Sequence, residues 1–167
     1  MSKLSKLFII LLTLLPWTTQ ALESDNDQPM LVSSDSAQIN SQNGIGIYRG
    51  NVRFNQGTSY LTADYAETFT DEDNNLVSAF ADGVEDQRAH YWTLTDIDKP
   101  ELHARADRIE YQAEENKIYL IGNAEVIQGE DSYHAPIIEY DTEKEEVISP
   151  EDDQGRTVII LQKQADS

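Results

Sequence analysis

The chain has 167 residues, room for one ordinary domain but not two, with 39% apolar residues to build a core. It contains no cysteine, which excludes disulfide frameworks, metal-thiolate sites, cysteine nucleophiles and a lipidated amino-terminal thiol. Its 31 acidic and 12 basic residues give a formal charge of −19, the wrong sign for following a nucleic-acid backbone or an anionic membrane surface.

The amino terminus opens on Lys3 and Lys6, followed by the apolar run Leu7 to Leu15, Pro16, and small residues at Thr19 and Ala21. This is the order of charge, apolar core and cleavage site in a secretory signal peptide. A spanning helix needs roughly 20 apolar residues, and Pro16 stops this run well short of that. The expected organisation is a signal peptide over 1–21, a short tail over 22–27, one domain over 28–162 and a tail over 163–167, with the mature protein free in the periplasm. Losing two leader lysines leaves 10 basic against 31 acidic residues, a charge of −21.

From Gln28 onward apolar residues recur with a period of two, the signature of half-buried strands. Met30 and Val32 share a face, as do Ile45 and Ile47, then Val52 and Phe54. Leu61, Ala63 and Tyr65 continue the pattern, followed by Ile109 and Tyr111, and by Ile118 and Leu120 alternating with Tyr119 and Ile121. Near the end Val158 and Ile160 oppose Ile159 and Leu161. Turn clusters separate these runs at 41–44, 71–75, 114–116 and 152–155. About a dozen short strands with turns roughly every ten residues predict an all-β sandwich, jelly roll or barrel. Helix is a weak alternative over Thr142 to Glu146.

An internal repeat supports this reading. Tyr48–Ala63 overlays Leu120–Ala135 without a gap, aligning Gly50-Asn51 with Gly122-Asn123, Gln56-Gly57 with Gln128-Gly129, and Ala63 with Ala135. Fixed-period similarity is the mark of stacked units that share a core. A Gly-Asn pair between apolar runs suits a turn with φ > 0. Asp35-Ser36-Ala37, Ala63-Asp64 and Ala106-Asp107 are weaker echoes at strand starts.

These segments, in this order, resemble the LptA/OstA family. The resemblance is carried by Gln28-Pro29-Met30-Leu31-Val32-Ser33-Ser34-Asp35, Gly50-Asn51-Val52, Gln56-Gly57-Thr58 and Ala63-Asp64. Lys99-Pro100, His103-Ala104 and Leu120-Ile121-Gly122-Asn123-Ala124 continue it, so that it covers nearly all of the chain from Gln28 to Leu161. It implies an open, slightly twisted β-jelly roll of antiparallel strands whose V-shaped interior shelters lipid acyl chains. The implied function is carriage of lipopolysaccharide, through its lipid A part, from inner to outer membrane. The implied partners are an LptC-like inner-membrane protein, an LptD-like outer-membrane protein and further copies of the chain stacked head to tail. The leader is too short and cleavable for LptC, and the chain has no room for LptD's barrel, which leaves the free bridge component. No cofactor or nucleic acid is implied.

With so few cations a phosphate clamp is not expected, and recognition should run through the acyl chains. The candidate lining is Met30, Val32, Ile39, Ile47, Val52, Phe54, Leu61, Tyr91, Ile109, Tyr111, Ile118, Leu120 and Val126. The plain alternative is that these residues fill a closed core, and a one-residue slip in register would turn any of them to the other face. The candidate assembly edges are Pro29, Met30, Leu31 and Val32 at one end and Thr157, Val158, Ile159, Ile160 and Leu161 at the other. Pro29 lacks an N–H and belongs at an edge. The apolar terminal run suits strand addition better than exposure.

Catalysis is not expected. His90, His103 and His134 lie far apart in sequence, without metal-ligand spacing. Asp71-Glu72-Asp73-Asn74-Asn75 resembles the start of a calcium loop, but Leu76 stands where that loop requires glycine. The nucleophile-elbow, zinc-protease and phosphate-loop motifs are absent. The competing reading is a periplasmic β-sheet module for glycans or adhesion. Exposed Tyr and Trp in a polar cleft would favour that reading, whereas a continuous apolar trough would favour lipid.

Overall fold

A computed structural model describes residues 28–84, 86–144, 146–150 and 155–161. The expected leader and following tail lie outside the described residues, as do 151–154 and 162–167. Twelve strands run in order: β1 (Leu31–Ser33), β2 (Ser36–Asn40), β3 (Ile45–Gln56), β4 (Ser59–Thr70), β5 (Leu76–Asp82), β6 (Ala89–Thr93), β7 (Leu102–Ala106), β8 (Arg108–Gln112), β9 (Lys117–Gln128), β10 (Asp131–Asp141), β11 (Glu146–Ile148) and β12 (Val158–Ile160). All their pairings are antiparallel. Thr142 to Lys144 is a turn between β10 and β11 rather than helix.

The hydrogen-bonding network forms two ladders. One runs β1-β3-β4-β6-β7-β9-β10-β12, the other β2-β3-β4-β5-β8-β9-β10-β11. The long strands β3, β4, β9 and β10 belong to both, one half to each arm. The chain crosses between arms along a single line, at Asp35, Gly50-Asn51, Asp64, Gly83, Asp107 and Gly122-Asn123. Backbone bonds tie this line together: Asp35 N–H donates to Gly50 C=O (2.8 Å), Gly83 N–H to Asp107 C=O (2.9 Å) and Asp107 N–H to Gly122 C=O (2.9 Å). The arms therefore meet at a spine, while the hairpin turns lie at their far margins. The result is an open antiparallel jelly roll with a V-shaped section, not a closed barrel.

The spine requires backbone that few residues adopt. Gly50 and Asn51 have φ of 72° and 48°, and Gly122 and Asn123 have 77° and 47°. Glycine tolerates this region freely, and asparagine better than most residues. Each pair opposes a single residue of the neighbouring strand, so the ladder shifts register between Arg49 and Val52 and between Ala135 and Pro136's far neighbour Ile137. The two asparagines brace the turn alike, Asn51 Nδ2 donating to Asp35 (2.8 Å) and Asn123 Nδ2 to Asp107 (2.9 Å).

The repeat extends well beyond the segment visible in sequence. Shifted by 72 residues, β2 falls on β8 and β3 on β9, end for end. Gln56 Nε2 donates to Gln28 C=O, and its counterpart Gln128 Nε2 to Pro100 C=O. After β4 and β10 the offset becomes 68, because the β10–β11 turn is shorter: Phe80 and Ile148 face the equivalent residues Glu67 and Glu139. β5 and β11 are thus counterparts, as are β6 and β12.

Replacing Gly50 or Gly122 by alanine is expected to cost about 1–3 kcal/mol. An added Cβ would lie 2.4 Å from the Asp35 or Asp107 carboxylate, which its asparagine holds in place. Urea unfolding of the two variants checks this, and a loss below about 0.5 kcal/mol in both would mean the spine is slack.

Candidate functional site

Inside the V, the first arm is lined beside the spine by small side chains. Beside the spine on the first arm lie the registered pairs Val52–Ala63, Ala89–Ala106 and Ala124–Ala135. On the second arm Tyr48, Ala66, Ala81, Ile109, Leu120 and Ile138 form one row. Seven of the twelve buried apolar residues among those described are alanines, and Val52, Leu120 and Ile138 are the largest fully buried side chains. Small side chains let the arms close to interior packing density where the V is narrowest.

One step outward the rows carry half-buried aromatic and aliphatic side chains, interleaved with the buried Gly46, Thr68, Ala104 and Val126. On the first arm Val32, Phe54, Leu61, Tyr91, Ala104, Val126, Tyr133 and Ile159 lie in register across the whole ladder. On the second arm the matching row is Ile39, Gly46, Thr68, Ala79, Tyr111, Ile118, Tyr140 and Val147. The margin of the first arm is polar: Ser59 Oγ bonds Thr93 Oγ1 (2.9 Å) and Tyr91 Oη (3.1 Å), and Gln128 Nε2 donates to Thr95 (2.8 Å). The interior is an apolar trough with a hydroxyl-rich lip on that side.

Among the candidate lining residues, Val52, Ile109 and Leu120 are buried near the spine, and Val126 is buried one step outward. Phe54, Leu61, Tyr91, Tyr111 and Ile118 stand half-buried in the second rows. Val32 and Ile39 belong to the same rows at the β1/β2 end, where Ile39 is 69% exposed, and Met30 just before β1 is 42% exposed. Ile47 is the exception. Its neighbours Gly46 and Tyr48 occupy the inner rows, so Ile47 turns outward beside Gln38 and Glu67. Tyr65 also leaves the face of Leu61 and Ala63, because the register shift at Gly50-Asn51 reverses the alternation in β4; it packs on Phe80 and Arg49 instead.

Sequence reasoning missed Tyr48, Tyr133, Ile138 and the alanines. The repeat held the signal for two of these, since Tyr48 is the counterpart of Leu120 and Tyr133 of Leu61. It also pairs Ile47 with Tyr119, which lies on the outer face.

Leu31–Ser33 and Val158–Ile160 form β1 and β12, each paired on one side only among the described residues, with Pro29, Met30, Thr157 and Leu161 flanking them. The second arm has its own one-sided strands, β2 and β11, which the sequence reading did not single out.

The outer face of the first arm is polar and aromatic. Tyr60 stacks on Trp92, with centroids 5.2 Å apart and planes at 8°, and Trp92 lies against His90. His90 Nε2 is 3.1 Å from His103 Nδ1, so residues distant in sequence meet on neighbouring strands. Arg88 and Arg105 share Glu125 at 2.9 and 3.4 Å. Partial burial, then the charges of Arg105, His103 and Arg88, push the His90 pKa down to about 4. His90 is therefore neutral at neutral pH. No cluster of three potential metal ligands occurs among the described residues.

Residues 31–146 match the LptA/(LptD N-terminal domain) LPS transport protein family. The lipopolysaccharide export system protein LptH of Pseudomonas aeruginosa is 32% identical over 125 residues, covering 75% of this chain and 70% of that protein. The lipopolysaccharide export system protein LptA of Escherichia coli is 26% identical over 141 residues, covering 84% and 74%. The crystal structure of Pseudomonas aeruginosa LptH, described as the LptA-homologous periplasmic component of the lipopolysaccharide transport device, superposes with a TM-score of 0.75. That superposition has 28% identity and covers 84% of this chain and all of the other. With the family matched over most of the described fold, this chain belongs to the LptA/LptD N-terminal domain family of lipopolysaccharide transport proteins.

Proposed function

We propose that this protein is a periplasmic, non-enzymatic component of lipopolysaccharide transport, and that it shelters the lipid's acyl chains between the two arms of the V. The observation that carries this reading is the pair of rows, apolar apart from Thr68, that run in register from β1/β2 to β12/β11. A chain lying along the trough would meet Phe54, Leu61, Tyr91 and Tyr133 on one arm and Tyr111, Ile118 and Tyr140 on the other. Each buried methylene contributes roughly 0.8 kcal/mol, so several acyl chains supply ample affinity without an ionic contact. The residues closest to the spine are packed already, so entry of lipid would part the arms from their margins inward.

The leader is read as the signal that brings the chain to the periplasm. The partners in this reading are an LptC-like protein on the inner-membrane side, an LptD-like protein on the outer-membrane side, and further copies of the chain joined end to end through β1 and β12. The aromatic pair Tyr60–Trp92 on the outer face is what a glycan-binding module would use, but the two rings are stacked on each other rather than presented to a ligand.

Binding of lipid A or lipopolysaccharide by the mature protein is expected to lose little affinity as ionic strength rises. A phosphate-led interaction would weaken steeply under the same conditions. Titration at low and high salt checks this, and a large loss of affinity would count against acyl-chain recognition.

Leu61→Asp and Leu102→Asp, the latter on the face of Ala104 and packed against the buried core, are expected to impair lipid binding far more than Asn74→Asp. An inward carboxylate beside hydrocarbon costs several kcal/mol unless it protonates. Asn74 lies on the exposed turn after Asp71, where a change should stay within about 0.5 kcal/mol. Equal binding by all three variants, each shown to be folded by circular dichroism, would remove the trough from the mechanism.

A further inference from the structure

Because the fold is built twice, a feature present in one half and absent from the other is not demanded by the architecture. At the inner margin of the first arm, hydroxyls from the β3–β4 turn, β4 and β6 meet in one cluster. Ser59 Oγ bonds Thr93 Oγ1 (2.9 Å) and Tyr91 Oη (3.1 Å), and Thr58 Oγ1 bonds Thr93 Oγ1 (3.3 Å). The strand pairing brings them together. β4 pairs β6 with Leu61 opposite Tyr91, so Ser59 and Thr93, each two residues nearer the margin, share the same inner face. Thr58, Ser59, Tyr91 and Thr93 are all half-buried.

The second half keeps the framework and changes the side chains. There β9 pairs β10 and β10 pairs β12, as β3 pairs β4 and β4 pairs β6. Carried across by the offsets of 72 and 68, Thr58, Ser59, Tyr91 and Thr93 become Glu130, Asp131, Ile159 and Leu161. Two of these positions are carboxylates and two are apolar. The hydroxyl cluster therefore belongs to the first half alone and is not what builds the arm.

We propose that this cluster is a hydrogen-bonding subsite for the saccharide part of the lipid, at the place where that part leaves the trough. This rests on the acyl-chain reading above and adds where the polar end of the ligand lies. Tyr91 joins the two regions: its ring stands in the row of Phe54 and Leu61, and its hydroxyl reaches Ser59 at the lip. Tyrosine suits such a boundary because its body is apolar and its tip polar. A hydroxyl both donates and accepts, and in each of the three contacts either oxygen can be the donor. The cluster can thus exchange its internal bonds for bonds to sugar hydroxyls and amides without stranding a buried polar group, which would oppose binding. Glu130 and Asp131 at the equivalent lip offer carboxylates, which accept hydrogen bonds without donating them and repel anionic substituents on a sugar. A neutral subsite is also consistent with affinity that changes little with salt.

Three ligands separate the contributions: lipopolysaccharide, palmitate as an acyl chain without sugar, and the saccharide freed of its acyl chains. Calorimetric titration compares the mature protein with the double variant Ser59→Ala/Thr93→Val. The double variant should bind lipopolysaccharide roughly tenfold more weakly, as the loss of one or two hydrogen bonds implies, and palmitate within about twofold of the unaltered protein. Palmitate binding also certifies that the trough of the variant is folded. Should the double variant fail to fold, Thr58→Val carries the same test with a loss of about two- to fivefold. Asp131→Ala, at the counterpart of Ser59, should leave lipopolysaccharide affinity within about twofold. An equal loss for palmitate overturns the proposal, because the hydroxyls would then only shape the trough. Unchanged lipopolysaccharide affinity overturns it too, as does a loss in Asp131→Ala as large as in the double variant. Free saccharide that binds the unaltered protein as tightly as the whole lipid overturns both this subsite and the acyl-chain reading. If the unaltered protein binds neither lipopolysaccharide nor palmitate, the acyl-chain reading falls first and the subsite with it.

Discussion

At Gly50-Asn51 and Gly122-Asn123 the backbone must turn through positive φ while remaining hydrogen-bonded to its neighbours. If this turn is made, a long strand serves two ladders and the arms diverge from a common line. If it is not, β3 and β9 continue straight and there is no interior. Asp35 and Asp107 hold the turn from the preceding strands, each accepting the asparagine amide and donating its own N–H to the glycine carbonyl. Because the same device appears twice, the molecule has one spine that runs its full length rather than one corner.

The composition of the interior follows from that geometry. Two arms meeting at a line leave little space beside it, so alanines recur next to the spine, most densely on the first arm, while Phe54, Leu61, Tyr91, Tyr111, Ile118 and Tyr133 stand further out. A closed sandwich would bury these side chains against one another. Here they remain half-exposed at an open margin, the arrangement a protein needs if a flexible apolar ligand is to take the place of core. An acidic surface is compatible with such a ligand if the favourable contacts are with hydrocarbon, and its self-repulsion opposes non-specific association.

Much of this is legible in the sequence. Period-two alternation located the long strands, and the Gly-Asn pairs marked the turns and the repeat. What was not legible arises from non-local geometry. Tyr65 obeys simple alternation with Leu61 and Ala63, but the shift opposite Gly50-Asn51 reverses the inside and outside of β4, whereas Ile47 stands at the opposite parity to Val52 and Phe54 on β3 and only its apolar side chain suggests an inward position. Alanines were passed over because they are only weakly apolar, although their small size is what a narrow apex requires. The strand start at Asp35-Ser36-Ala37 and the lining residue Ile39 are legible, but not that β2 forms an edge of the second arm, because that depends on its pairing with β3. The meeting of His90 with His103 likewise depends on β6 and β7 being neighbours, which sequence distance conceals.

The central claim is that the inner face of the V, and not the outer, receives the lipid. Adjacent residues on one strand test it without changing the fold. A photoreactive side chain can be placed at Tyr91 or Ile118, which face inward, and in separate proteins at Trp92 or Tyr119, which face outward, and irradiated with lipopolysaccharide. The account predicts covalent adducts at Tyr91 and Ile118 and little at Trp92 and Tyr119. Adducts that favour the outward positions, or that do not distinguish the two faces, would contradict it.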